Sequence, residues 1–130
     1  MNPDTFVQRF AEAIAKMEGF YRKGTPAQRN NNPGNLRSWG TRPVVKGFAV
    51  FPTPEDGWTA LRSQIVKNIN RKLTMYEFFE GKPGVYGGYA PAADKNSPRE
   101  YAEFVAKRLG IDAEDRLDLA VEKAKVDDAR

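Results

Sequence analysis

Three stretches of this chain place apolar residues at helical spacing: Phe6, Phe10, Ile14 and Met17; Trp58, Leu61, Ile65 and Ile69; and Tyr101, Phe104, Val105 and Leu109. Such stripes bury one face of a helix, so the chain is constrained to pack helices around a core. Local signals bound each stripe. Asn2 can cap the first helix, Pro3 fits its first position, and Gly19 can end it in a left-handed conformation. The first helix is therefore predicted from Pro3 to about Met17 or Glu18. Thr53-Pro54-Glu55-Asp56 opens a second helix, reaching about Lys72, through a capping-box-like pair. Thr74 with Glu77 repeats that logic for a short helix carrying Phe78 and Phe79 and ending at Gly81. Ser97-Pro98-Arg99-Glu100 starts the next helix, which Gly110 stops. Asp112 with Asp115 is read as the start of a last helix, over about 112–126, whose end frays.

The segments between helices are equally distinctive. Residues 19–43 are rich in Gly, Pro, Asn and Arg and read as ordered loop. Val44 to Phe51 can form one or two short strands that turn at Gly47. Residues 81–97 form a second long loop, with Tyr86, Gly87, Gly88, Tyr89 and Pro91. The expectation is a mainly α fold with five or six helices and a small β-hairpin, in a single domain over 1–130 with a core at about 3–110. Loops this long in a compact domain are commonly functional.

The chain of 130 residues contains no His and no Cys. That removes imidazole and thiolate chemistry, disulfides, and the usual ligands of a transition metal. No cofactor or metal is expected. If the protein does chemistry, a carboxylate must carry most of it. Glu18 is the candidate. It closes the first helix beside Met17, Phe20 and Tyr21, an apolar margin that can raise a carboxyl pKa. An ordinary surface Glu would be slightly unfavourable at a helix C-terminus, where the backbone carries partial negative charge. Glycoside cleavage needs such an acid, protonated near neutral pH, to donate to the leaving oxygen.

Eleven residues beyond Glu18 begins Arg29-Asn30-Asn31-Asn32-Pro33-Gly34-Asn35-Leu36-Arg37. Amides offer donors and an acceptor that match sugar hydroxyls and N-acetyl groups. Asn also suits turns, which accounts for Asn30 and Asn31. Asn32 and Asn35 flank the Pro-Gly turn and stand equally as structural or substrate-binding residues. Tyr86 and Tyr89 can stack on sugar faces or pack their own loop. Glu55, Asp56 and Asp94 are candidates for a second carboxylate, although helix capping already accounts for Glu55 and Asp56.

These pieces together resemble the lysozyme-like superfamily. The resemblance rests on Glu18-Gly19, the Asn-Asn-Pro-Gly-Asn-Leu core, Phe51 to Leu61, and the Tyr89-Ala-Pro loop before Tyr101. It is nearest to bacteriophage and prophage proteins related to soluble lytic murein transglycosylases and goose-type lysozymes, and covers roughly residues 7–110. Pro-Gly-Asn-Leu stands where the transglycosylases carry Gly-Leu-Met-Gln. The resemblance implies a β-hairpin lining a glycan cleft and cleavage of the bond between N-acetylmuramic acid and N-acetylglucosamine in peptidoglycan. It implies catalysis by the single acid Glu18, with Asn32, Asn35 and either Tyr86 or Tyr89 near substrate. An alternative is a non-catalytic virion or wall-binding module.

The implied partners are peptidoglycan glycan strands and, in a virion, other phage proteins. Residues 1–72 hold 12 Lys+Arg against 5 Asp+Glu, a net +7, whereas residues 73–130 hold 9 against 12, a net −3. The positive residues are dispersed, so no nucleic-acid partner is expected. The chain shows no signal peptide and no membrane span, and a monomer is expected. It would be made in the cytoplasm and act on the cell wall or periplasm, or as a virion component.

Overall fold

The computed structural model describes residues 1–89 and 97–128. Among them are six helices: α1 (Pro3–Met17), α2 (Pro26–Arg29), α3 (Pro54–Asn70), α4 (Met75–Glu80), α5 (Pro98–Leu109) and α6 (Leu117–Asp128). Two strands, β1 (Val44–Val45) and β2 (Phe48–Ala49), form an antiparallel hairpin. The fold is mainly helical with one small two-stranded sheet. No helix of the described residues is long and apolar enough to cross a membrane.

Contacts group the chain into two compact units, Met1–Phe10 with Val66–Arg130, and Ala11–Ile65. In the first, Phe6, Phe10, Leu73, Phe78, Val105 and Leu117 are buried. Phe78 lies at its centre, 4.8 Å from Phe10 and 4.9 Å from Phe79 between ring centroids. Thr74 and Glu77 form the expected capping box of α4: the Glu77 N–H donates to Thr74 Oγ1 at 3.1 Å, and the Thr74 N–H to Glu77 Oε1 at 2.9 Å. Gly81 and Gly88 let the loop after α4 fold back on itself, since a Cβ on Gly81 would lie 2.7 Å from the Gly87 carbonyl oxygen.

In the second unit, Ala11, Ile14, Ala15, Leu36, Ala49, Phe51, Leu61 and Ile65 are buried. The hairpin turns on Lys46 and Gly47, both at positive φ (50° and 87°), the arrangement of a two-residue type I′ turn. At the start of α3, Thr53 caps as expected: its hydroxyl accepts the Asp56 N–H at 3.2 Å.

Two elements differ from expectation. Residues 19–43 contain a short helix, α2, which begins at Pro26 with Thr25 as cap; four residues are too few to show an apolar period. The last helix begins at Leu117, not at Asp112. Asp115 accepts the Asp112 N–H at 3.2 Å and closes a turn, after which the Leu117 N–H is drawn to the Leu73 carbonyl at 2.8 Å. That tertiary bond sets the start of α6.

Gly57 supplies a sharp test of this arrangement. A Cβ there would lie 2.0 Å from the Asn31 carbonyl oxygen and 2.8 Å from Pro33 Cδ. Gly57→Ala should cost about 3 kcal/mol or more by denaturant unfolding, the upper end for overpacking, because backbone must move. Gly87→Ala, with nothing within 4 Å of the added carbon, should change stability by less than about 1 kcal/mol.

Candidate functional site

The site is built from the end of α1 and the asparagine-rich loop, both in the Ala11–Ile65 unit. Helix α1 ends in a Schellman arrangement. The Phe20 N–H donates to the Ala15 carbonyl at 3.0 Å, and the Gly19 N–H to the Lys16 carbonyl at 3.3 Å. Gly19 takes φ +78°, as expected of a helix-ending glycine. Glu18 is thereby held directly after the last residue of the helix, its own N–H on the Ile14 carbonyl at 2.9 Å. The guanidinium of Arg22 lies against Gly19, where a Cβ would meet its Nη2 at 2.8 Å. Further along, Thr25 Oγ1 donates to the Gly19 carbonyl at 2.8 Å, fastening the turn after α1 to the start of α2.

The amides of the following loop divide into two groups. Asn30, Asn31 and Asn32 serve the loop itself. The Asn30 carbonyl accepts the Phe51 N–H at 2.9 Å, and Asn31 Nδ2 donates to the Phe51 carbonyl at 3.0 Å. Asn32 has no exposed surface. Its Nδ2 donates to the carbonyls of Leu36 and Ala49, both at 2.9 Å, and its Oδ1 accepts the Leu36 N–H at 2.9 Å. Through these bonds its carboxamide holds the loop to the hairpin.

Asn35 is different. Its N–H donates to the Asn32 carbonyl at 3.0 Å across the Pro-Gly turn, and its backbone takes φ +48°. The side chain turns to the acid: Nδ2 donates to Glu18 Oε2 at 3.1 Å. Two residues on, the positive charge of Arg37 also acts on Glu18. Arg37 lies over the Phe48 ring, 5.2 Å from its centroid, which ties that charge to the hairpin.

Glu18 is half-buried, and removal from water raises its carboxyl pKa above the ordinary range. The Asn35 hydrogen bond and the Arg37 charge pull the other way and only partly offset this. The result is an acid that keeps its proton to a higher pH than a free Glu, with a donor ready for the oxygen left behind. That pairing can protonate a leaving group and then accept a proton back. Beside it, Phe20 packs edge-on to both Tyr21 and Trp58, each at 5.5 Å between centroids.

Glu18 and Asn35 meet, and Asn32 supports them from within. Tyr86 and Tyr89 belong to the other unit, where Tyr89 stacks on Phe78 at 5.3 Å and Arg71 lies over Tyr86 at 5.2 Å. Asp56 accepts a hydrogen bond from Thr53, and Glu55 is exposed in the first turn of α3. Asp94 lies outside the described residues. Arg37 was not singled out by sequence reasoning. Its position two residues beyond Asn35 is the signal that could have found it.

No protein-family model matches the chain, and neither a curated protein nor a solved structure gives a significant match.

Two stability outcomes follow. Asn32→Ala should cost about 3 kcal/mol or more by denaturant unfolding, because three hydrogen bonds go and buried backbone groups lose a partner. For Glu18 the sign is set by its raised pKa. Its contribution is full below the unfolded-state value and is lost as pH rises through the folded-state value. Glu18→Gln has no proton to lose there. Its Tm should exceed that of the parent at neutral pH, and the gap should narrow as pH falls through the carboxylate range. An equal gap at every pH would contradict the raised pKa.

Proposed function

We propose that this protein is a peptidoglycan-cleaving glycosidase, a lytic transglycosylase or muramidase, acting on the bond between N-acetylmuramic acid and N-acetylglucosamine. The observation that supports this reading most is the half-buried Glu18 carboxyl facing the Asn35 amide at 3.1 Å, its pKa raised by burial. The lysozyme-like resemblance of the surrounding sequence supplies the substrate class.

In the proposed mechanism Glu18 donates its proton to the glycosidic oxygen as the bond to the anomeric carbon breaks. Asn35 Nδ2 and the Arg37 charge stabilise the carboxylate that remains. In the transglycosylase route this carboxylate takes the proton from the muramic O6 hydroxyl, whose oxygen closes an anhydro ring on the anomeric carbon. One carboxylate suffices for that route. In the hydrolytic route water attacks instead and leaves a reducing end. A role for Tyr86 or Tyr89 in holding sugar remains part of the proposal.

A second reading is a wall-binding module without catalysis. The observation that favours it is a groove of about 470 Å³ lined by Trp39, Arg42, Phe51, Asp56 and Ser63 but not by Glu18. Such a groove offers an aromatic surface, a guanidinium and hydroxyls to a glycan, and its one carboxylate, Asp56, already accepts a hydrogen bond from the Thr53 hydroxyl.

Digestion of purified peptidoglycan with mass analysis of the products separates the readings. Anhydro ends mean transglycosylase, reducing ends mean hydrolase, and binding without released fragments means a binding module. For the enzyme, Glu18→Gln should lower the rate by at least about 100-fold while the fold is kept, the usual weight of a general acid. The parent's kcat/KM should fall as pH rises through the Glu18 value, because the proton to be donated is lost. Near-normal clearing by Glu18→Gln would remove Glu18 from the mechanism.

A further inference from the structure

Three features converge on the Asn35 side chain. Its Nδ2 donates to Glu18 Oε2 at 3.1 Å. Its Oδ1 is buried and has no hydrogen-bond partner among the described residues. Its backbone is held at φ +48°, a left-handed conformation that costs a non-glycine residue energy, though Asn less than most. A stranded buried acceptor is expensive, and its neighbours do not need it. Asn32 already locks the loop through Leu36 and Ala49, and the Pro-Gly turn is closed by the Asn35 backbone N–H, not its side chain.

A fixed donor to a carboxylate explains Nδ2 but leaves Oδ1 unexplained. The two ends of a carboxamide are nearly the same size, and the torsion that exchanges them is broad and roughly two-fold. An ionised Glu18 offers only acceptors, so it takes Nδ2–H. A protonated Glu18 offers an O–H, which needs an acceptor, and a half-turn of the Asn35 amide brings Oδ1 to it. The surrounding charges do not switch in this way. Arg37 acts on Glu18 and Arg22 lies against Gly19, and a guanidinium offers donors but no acceptor.

We propose that Asn35 is a positioning residue that follows the proton on Glu18, donating through Nδ2 to the carboxylate and accepting through Oδ1 from the carboxylic acid. Each protonation state keeps a hydrogen bond, so the acid can give up and regain its proton without rearranging the loop. The inference deepens the proposed reading of Glu18 as an acid that turns base. It is tested without substrate, so a failure of wall cleavage and a failure of the amide switch are separate results.

The test is a pH titration of the isotope-labelled 130-residue protein by NMR, reading the Glu18 carboxyl carbon and the Asn35 side-chain amide together. The expected result is one shared midpoint, with the Asn35 response abolished in Glu18→Gln. Asn35→Gly, which suits positive φ and removes the amide, supplies the second measurement. Loss of a one-sided, charge-assisted donor would raise the Glu18 midpoint by about one pH unit or more. A partner that serves both states predicts a smaller change, below about half a unit, since both states lose a bond. Asn35 signals that stay fixed while Glu18 titrates, or a rise of about half a unit or more in Asn35→Gly, would overturn the proposal.

Discussion

Asn32 carries the Ala11–Ile65 unit. Its carboxamide is wholly buried and makes three hydrogen bonds, two to Leu36 and one to Ala49, so it acts as a short piece of strand inside a loop. Buried backbone groups must find partners, and here a side chain supplies them where no sheet exists. The consequences run outward. Leu36 is pinned, its carbonyl also accepting the Ala49 N–H at 2.8 Å, and the hairpin is joined to the loop. The Asn35 N–H closes its turn on the Asn32 carbonyl, which aims the Asn35 side chain at Glu18. Gly57 then lets the first turn of α3 approach the Asn31 carbonyl closely enough to seal the loop from outside.

The raised pKa of Glu18 follows from a balance its surroundings impose. A carboxylate at a helix C-terminus meets the negative end of the backbone dipoles, and burial penalises it further. Asn35 and Arg37 offset part of that penalty. Positive φ at Asn35, an orphan acceptor on the same side chain, and a poorly placed acid all occur within one cluster. Local costs gathered at one point, in a unit otherwise well satisfied, are what functional sites tend to show.

Much of the helical frame was legible because its signals are local. Asn2 accepts the Thr5 N–H, Thr74 and Glu77 complete a capping box, and Gly110 ends α5 at φ +70°, each as the residue types require. Lys46-Gly47 likewise makes a two-residue turn that its flanking strands demand. Short-range chemistry failed where a distant partner intervened. Asp112 and Asp115 form their local bond, yet α6 waits for Leu117 because Leu73 claims its N–H. Helix α2 escaped notice because four residues beside a Thr-Pro start show no period.

The sequence by itself determined the bounds of the helices whose caps and stops are local, and that imidazole and thiol groups are absent from any acid–base chemistry; it also marked Glu18 as a candidate acid at a helix end. It did so because caps, stripes and glycine stops act over three or four residues, and because His and Cys are absent. Only tertiary structure separated the asparagines. Asn30, Asn31, Asn32 and Asn35 carry the same amide, and nothing in their spacing says which is buried. Burial and backbone direction placed Asn32 inside, where its amide is fully used, and turned Asn35 toward Glu18, where half of its amide is not.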